Sequence, residues 1–202
     1  MKRSLIDAFI NTLAVILIVL ALNQSLKIFL AGHWLSASGS MAFYLLLLIL
    51  FLLRKPSKEA ITQPGHFLVA LGGTFLTLAI QFNPDPNPTL VGISLPFELT
   101  GAVFSVMALA SLGRGFGVVA ANREIKTHGM YRFIRHPLYM GEALWFFSLI
   151  LQNLSPFNAV LFLTQIGCQI LRMRDEESLL RKDPAYATYL EQVRYRMIPG
   201  LF

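Results

Sequence analysis

The sequence predicts an all-α protein, a polytopic membrane helical bundle with five to six transmembrane helices. Of its 202 residues, 55% are hydrophobic and only 14% are charged, whereas soluble domains carry about 25% charged residues. Apolar segments recur at close to the 20 or so residues that a membrane-crossing helix needs. Nearly all basic residues also fall on one side of the topology that these segments define. The composition excludes a soluble enzyme, a disordered chain and a disulfide scaffold.

Six apolar segments are the candidate transmembrane helices. They are Leu5–Leu22, Ala37–Leu53, His66–Phe82, Leu90–Leu112, Leu138–Leu154 and Phe157–Leu171. The first is expected to be a retained helix because no small-residue cleavage site follows it. The last two are short, and the Ser155-Pro156 pair between them predicts a turn, so we expect a helical hairpin. A re-entrant arrangement of this pair leaves the choice between five and six crossings open.

The positive charges orient the predicted bundle. If six helices cross, all of the 17 lysines and arginines except Lys27 lie on the side of the N-terminus. The positive-inside rule then places both termini in the cytoplasm, and in a bacterium the membrane is the inner one. The net charge of +6 is therefore topological. We therefore do not expect nucleic acid as a partner, whereas anionic membrane lipids are expected partners. Nothing in the sequence indicates an obligate protein partner.

Two predicted cytoplasmic stretches, residues 113–142 and 172–202, hold most of the polar chemistry. Both flank the hairpin, so its folding brings them together, and charged groups that converge at a membrane surface indicate a site. Pro137 suits the first position of a helix, which makes His136 the N-cap. Free backbone N–H groups at that helix start attract a carboxylate. An interfacial belt that only anchors the helix explains the same residues equally well.

The residues of the second stretch, considered alone, are explained by structural roles without a functional site. Arg172 and Glu176 are four residues apart and can pair on a salt-bridged helix extension. A series of apolar positions predicts an amphipathic helix that lies on the membrane and ends at Pro199; these positions are Tyr186, Tyr189, Val193 and Met197. Snorkelling explains Glu98, near the outer end of the fourth span, as well as a function does. The histidines lack metal-ligand spacing, so no metal is expected.

A specific pattern nevertheless links the two stretches. It reads Gly129-x-Tyr131-Arg132-x-x-Arg135-His136-Pro137-x-Tyr139-x-Gly141, followed after the hairpin by Glu176-Glu177, Tyr186, Tyr189 and Pro199. With this pattern the sequence resembles the isoprenylcysteine carboxyl methyltransferase family and the related phospholipid methyltransferases. The resemblance runs from Gly113 to the C-terminus. It divides the chain into transmembrane helices at residues 1–112 and a methyltransferase core at residues 113–202.

The resemblance implies an integral membrane enzyme that transfers a methyl group from S-adenosylmethionine. Its pocket would be closed by a C-terminal cytoplasmic helical segment over the hairpin. The implied cofactor-binding residues are Arg123, Glu124, Ile125, Lys126, Tyr131, His136, Pro137, Leu138, Tyr139, Glu176 and Glu177. One of the two glutamates would meet the amino group of the cofactor. Arg174 matches an arginine that orients the acceptor, and Arg172 is the second candidate for that catalytic role.

The acceptor is expected to be lipophilic and is not fixed by the sequence. A carboxylate acceptor arrives deprotonated, whereas an amine or a thiol can need a base. The absence of an obvious base favours an acceptor like isoprenylcysteine, while phospholipid amines and small thiols stay open as alternatives. A membrane reductase is a third possibility, since some sterol reductases have a related helical core. A small transporter or scaffold is the non-enzymatic alternative.

Overall fold

The computed structural model describes residues 2–30, 32, 34–55, 59–60, 64–117, 121–122 and 125–201. The α-helices in this part of the chain are α1 Lys2–Leu30, α2 Trp34–Leu53, α3 Pro64–Phe75, α4 Pro88–Leu112, α5 Pro137–Gln152, α6 Pro156–Leu180 and α7 Pro184–Gln192. Short 3₁₀-helices occupy Leu76–Ala79, Gly113–Gly115 and Gly129–Arg132. The strands β1 Glu59–Ala60 and β2 Ala121–Asn122 form a two-residue antiparallel ladder. The prediction of an all-α fold is confirmed apart from this ladder.

The described helices include two that are long and apolar enough to cross a membrane, at Thr12–Leu30 and Pro88–Gly115. Shorter apolar helices occupy Ala37–Leu53 and Gly65–Ala79. Large apolar side chains also lie exposed along the bundle, for example Leu52 and Leu163. Extended apolar surface of this kind indicates contact with a membrane or a partner. Membrane association is thus supported, and the count of five to six crossings stays a prediction.

The bounds of the first and third helices differ from those of the predicted spans. The helix α1 continues past Leu22 through Lys27 to Leu30, because polar side chains alone do not end a helix. Gly32 follows with a positive φ of 96°, a conformation that favours glycine. The third predicted span is shorter as an α-helix, since α3 ends at Phe75 and a tighter turn continues it to Ala79.

The helices α4 and α5 approach each other closely through two glycines. A Cβ atom on Gly101 would lie 2.5 Å from the backbone nitrogen of Trp145, and one on Gly141 would lie 2.6 Å from that of Ser105. The expected pair of helices around the Ser155-Pro156 turn is present as α5 and α6. The Ser155 hydroxyl caps α6 by accepting from the backbone N–H of Asn158 at 3.1 Å. These contacts bring the start of α5 beside the end of α6.

Candidate functional site

A pocket lies where the start of α5 meets the ends of α4 and α6, with α7 along one side. The pocket and its open mouth contain about 810 Å³ of unfilled space, part of which is open solvent. Its walls combine leucine and phenylalanine side chains with charged and aromatic ones. They are formed by Leu112, Gly115, Phe116, Gly117, Ile125, Lys126, Tyr131, Arg135, His136, Leu138, Tyr139, Arg172, Glu176, Leu179, Leu180, Tyr186 and Tyr189.

The start of α5 positions two of the aromatic walls. Pro137 is in the first turn and His136 is the N-cap, whose side chain makes no capping hydrogen bond. The imidazole of His136 instead stacks on the ring of Tyr139, with centroids 5.5 Å apart and planes 10° apart. Gly129 turns the preceding chain with a positive φ of 61°. A Cβ atom there would collide with the hydroxyl of Ser111, so glycine is required at this position.

Glu176 presents its carboxylate to the pocket. One carboxylate oxygen accepts a hydrogen bond from the hydroxyl of Tyr139, and the other lies 3.7 Å from Nδ1 of His136. The side chain of Glu176 is 26% exposed. The guanidinium of Arg172 lies 4.6 Å from the ring centroid of Tyr139, within the distance of a cation–π contact. A carboxylate, two aromatic rings and a cation therefore form one continuous wall.

Glu177 has a different environment although it is the next residue in α6. Arg196 donates to both of its carboxylate oxygens, at 3.0 and 2.9 Å. Nη1 of Arg135 lies 3.0 Å from Oε1, and Nε2 of His136 lies 3.3 Å from the same oxygen. Burial alone would raise the pKa of Glu177, but the hydrogen bonds from His136 and Arg196 and the charge of Arg135 hold this pKa well below its usual range. The carboxylate is therefore a buried anion engaged by surrounding side chains.

Residues 193–198, which follow α7, form a segment that crosses the start of α5 and that we call the C-terminal strap. The backbone N–H of Arg135 donates to the carbonyl of Tyr195 at 2.9 Å, and that of His136 donates to the carbonyl of Arg196 at 2.8 Å. The expectation of an amphipathic helix that continues to Pro199 is therefore wrong. Helix α7 ends at Gln192, because the backbone beyond it bonds to α5 instead.

The strap also occupies part of the helix start that was predicted to attract a carboxylate. The N–H groups of Arg135 and His136 are already occupied by carbonyls of the strap. They do not remain available for an incoming carboxylate.

Three tyrosines contribute neutral aromatic surface to the pocket. The hydroxyl of Tyr189 donates to the backbone carbonyl of Tyr131 at 2.7 Å, and the rings of Tyr186 and Tyr189 are 5.7 Å apart. Burial raises the pKa of all three hydroxyls above the usual range. They therefore stay protonated at neutral pH and offer uncharged ring faces, which attract cations.

A polar layer below the pocket holds Arg172. Its Nη1 donates to the hydroxyl of Thr74 at 3.0 Å and to Oε1 of Gln169 at 3.4 Å. Nε2 of Gln169 donates in turn to Glu142 at 2.5 Å. Close packing of α3 on α6 makes this possible, since a Cβ atom on Gly73 would lie 2.7 Å from Cδ of Arg172. Arg172 is thus buried, yet its guanidinium is surrounded by polar groups and an aromatic face.

The structure brings together most of the residues that the resemblance implied. The implied residues that line the pocket are Ile125, Lys126, Tyr131, His136, Leu138, Tyr139, Arg172 and Glu176. Pro137 and Glu177 are buried beside it without lining it. Arg174 is exposed on α6 and does not line the pocket. Arg123 and Glu124 lie outside the described residues. The roles of all these residues stay predictions.

Several site residues were absent from the predicted set. Among them, Thr74 lies far from the motif in sequence and gave no signal. Gln169 did carry a signal, because Gln165, Gln169 and the predicted Arg172 place polar side chains at spacings of four and three along an otherwise apolar part of α6. Such spacing puts them on one helix face. Arg196 shows no regular spacing from the motif, so only the folded chain reveals its contact with Glu177.

Comparison with known proteins finds a family that this region of the chain resembles. The family model for phospholipid methyltransferases matches residues 89–186. The predicted resemblance to the phospholipid methyltransferases is confirmed. The matched segment contains α4, α5, α6 and the first residues of α7, and hence most of the pocket. The C-terminal strap follows the matched segment.

A relative of different activity shares the same region. The chain is 31% identical over 88 residues to the Delta(14)-sterol reductase TM7SF2 of Mus musculus. This match covers 41% of the present chain and 21% of that protein, so the chain spans about a fifth of the relative's length. Together the two similarities support a membrane methyltransferase or a related enzyme.

Proposed function

We propose that this protein is an integral membrane methyltransferase that uses S-adenosylmethionine to methylate a lipophilic acceptor, in the manner of the isoprenylcysteine carboxyl methyltransferases. The observation that carries the proposal is the pocket wall formed by His136, Tyr139, Arg172 and Glu176. It lies within the segment that matches the methyltransferase family. The active site and both termini would face the cytoplasm, as the positive-inside rule predicts.

The chemistry of the pocket fits this cofactor. S-adenosylmethionine carries a sulfonium, an ammonium and a carboxylate, and it supplies a methyl group activated by the positive sulfur. The carboxylate of Glu176 suits the ammonium, and neutral tyrosine faces stabilise cations by about 0.5–2 kcal/mol. Lys126 and Arg135 also line the pocket and give it cations for the carboxylate. The walls therefore offer a group of opposite charge, or an aromatic face, for each charged part of the cofactor.

We assign the cofactor's amino group to Glu176 rather than to Glu177. Four cationic or hydrogen-bonding side chains already surround the Glu177 carboxylate. Removing it from those partners would leave the buried His136 and the largely buried Arg135 without their carboxylate, and breaking a buried pair in this way is strongly destabilising. Glu176 is part-exposed and faces the cavity. Glu177 then has a positioning role, because it holds the strap and the start of α5.

The environment of Arg172 supports a carboxylate as the methyl acceptor. Its cation lies at the pocket wall beside Tyr139, and a fixed guanidinium binds carboxylates in a defined orientation. The same cation would repel the amine of a phospholipid if that amine arrived protonated. Arg174, which the resemblance favoured for this role, is exposed outside the pocket, so we expect Arg172 to contribute more. Phospholipid N-methylation and small-thiol S-methylation are the alternatives.

Two measurements on detergent-solubilised protein test the proposal. Calorimetry should detect binding of S-adenosylmethionine, and Glu176→Gln should weaken it at least tenfold, because hydrogen bonds to charged groups contribute about 1.5–3 kcal/mol. Glu191→Gln is the matched control, since Glu191 is an exposed carboxylate on α7 and its loss should leave binding unchanged. Absence of binding at millimolar cofactor, or equal effects of the two variants, contradicts the proposal.

Transfer of label then identifies the acceptor class. The protein is incubated with methyl-tritiated cofactor and total host membranes. Label that alkali releases as volatile methanol indicates a methyl ester and supports a carboxylate acceptor. Label that alkali does not convert to methanol indicates N- or S-methylation and supports the alternatives. Label in no fraction argues against methyl transfer.

A membrane reductase is the second candidate, favoured by the similarity to the Delta(14)-sterol reductase. The aromatic and cationic walls of the pocket also suit a planar, anionic reducing cofactor. Mass spectrometry of the purified protein distinguishes the two classes. A retained nicotinamide or flavin, together with no binding of S-adenosylmethionine, would support the reductase.

A further inference from the structure

A second cavity lies at the opposite end of the bundle from the candidate functional site. Its walls come from α1, α2, the turn after α3, α4 and α5, and it contains about 480 Å³ including its mouth. They are formed by Ala21, Gln24, Ser25, Ile28, Ala37, Ser40, Tyr44, Thr77, Leu78, Phe82, Glu98, Trp145 and Leu149. Along α5, the nearest lining residues of the two cavities are Tyr139 and Trp145, six residues or about 9 Å apart at 1.5 Å per residue, and no residue lines both cavities. The two cavities are therefore separate.

A buried carboxylate is the most unusual feature of this cavity. Glu98 is almost completely buried, so the snorkelling interpretation is wrong for this residue. Its Oε2 accepts a hydrogen bond from Nε2 of Gln152 at 2.8 Å. An ionisable side chain within a membrane helix is costly and marks a functional site by default. On another wall, the hydroxyls of Tyr44 and Thr77 lie 3.3 Å apart.

The remaining walls are those of an amphiphile site. Ser25 and Ser40 satisfy their hydroxyls on carbonyls of their own helices, at 2.9 Å in both cases, and so present little polarity to the cavity. Ile28, Leu78 and Leu149 add apolar surface. The polar groups that remain are one carboxylate, one hydroxyl pair and the side-chain amide of Gln24. Ligand sites generally combine an apolar lining with a few polar groups that fix orientation.

We propose that this cavity binds a membrane amphiphile whose polar head is an ammonium with N–H donors and whose body is a hydrocarbon chain. A carboxylate in a water-poor site favours a cationic donor over a neutral one. The Tyr44–Thr77 hydroxyl pair offers acceptors for a further N–H, and the apolar walls take the first part of the chain. An ethanolamine phospholipid and a free long-chain amine share this head-group chemistry.

Trp145 provides a direct readout because it lines the cavity. The chain has two tryptophans, and Trp34 is exposed, so a Trp34→Phe background leaves only the cavity signal. Bromine atoms quench tryptophan fluorescence on contact. Trp145 is buried, so a brominated chain can reach it only through the cavity. Three dibrominated probes are titrated: a stearyl amine, an ethanolamine phospholipid and a choline phospholipid, which has no N–H donor.

The expected result is saturable quenching by at least one of the two N–H-bearing probes, at about one tenth of the mole fraction that the choline lipid needs. Quenching by the stearyl amine alone identifies a free amine as the ligand. Quenching by the ethanolamine phospholipid as well identifies a lipid headgroup. Equal quenching by all three probes, or by none, overturns the proposal.

Variants test the role of the carboxylate. Glu98→Gln should remove the preference for N–H-bearing probes, whereas Asp85→Asn, which removes an exposed charge from the loop before α4, should keep it. Ala21→Leu fills the cavity and should abolish quenching by every probe, which covers the case in which Glu98→Gln does not fold. A preference that survives Glu98→Gln, or quenching that survives Ala21→Leu, contradicts the proposal. None of these outcomes depends on methyl transfer at the other site.

Discussion

Replacing Arg196 with alanine tests whether an ionic contact holds the C-terminal strap on α5. Arg196 donates to both oxygens of Glu177 at 3.0 and 2.9 Å, and the Glu177 side chain is only 3% exposed. Hydrogen bonds to charged groups contribute about 1.5–3 kcal/mol. Arg196 is itself 31% exposed, so solvent screening reduces the sum. We expect a loss of about 2 kcal/mol, which corresponds to about a 30-fold change in the opening equilibrium of the strap.

Hydrogen exchange measures this opening directly. The backbone N–H groups of Arg135 and His136 donate to strap carbonyls, so they exchange when the strap opens. In Arg196→Ala they should exchange about 30-fold faster. Arg181→Ala is the matched control, because Arg181 approaches the same carboxylate only to 3.8 Å and is 57% exposed. Exposed pairs of this kind contribute about 0–1 kcal/mol. Exchange that rises less than threefold in Arg196→Ala, or equally in both variants, refutes this account of the strap.

Three further outcomes are expected. The pKa of Glu177 is lowered in the folded protein. The stability that the Glu177 carboxylate contributes is therefore complete above the ordinary carboxyl pKa of about 4.5 and declines as the pH falls toward the lowered value. The melting temperature, measured from pH 7 to 3, should fall more steeply in the unmodified protein than in Glu177→Gln. Gly101→Ala should lower the melting temperature, since the added Cβ would meet the backbone of α5 at a cost of about 1–3 kcal/mol. In the control Gly92→Ala the added Cβ has no atom within 4 Å, so the melting temperature should not fall. Tyr189→Phe removes the hydrogen bond to Tyr131 and should lower the free energy of unfolding by about 1 kcal/mol in a denaturant titration.

The parts of the site that could be predicted are those that local sequence determines. Pro137 suits the first turn of a helix, so the start of α5 and the N-cap position of His136 follow from two residues. Tyr139 is then one turn along the same helix. The Ser155-Pro156 pair defines the turn of the hairpin, and α5 and α6 form on either side of it. These features depend on the backbone preferences of a few neighbouring residues.

The parts that could not be predicted depend on contacts between distant segments. Val193 continues the apolar spacing of α7, yet the backbone beyond Gln192 leaves the helix because Tyr195 and Arg196 supply carbonyls to α5. A helical pattern competes here with hydrogen bonds across the fold, and the tertiary contacts prevail. Glu98 shows the same limit, since its partner Gln152 is 54 residues away. Spacing within one helix cannot distinguish such a buried carboxylate from one that reaches solvent.

The contrast between Glu176 and Glu177 follows from helix geometry. Successive residues of an α-helix point about 100° apart, so two adjacent carboxylates cannot both face the same pocket. Arg135 and Arg196 engage Glu177 from the side of α5 and the strap, and this fixes the rotation of α6 about its axis. That rotation turns Glu176 toward Tyr139 and the cavity. The two adjacent glutamates therefore have linked roles. The ion pairs of Glu177 fix the orientation of α6, and this orientation directs the Glu176 carboxylate into the pocket.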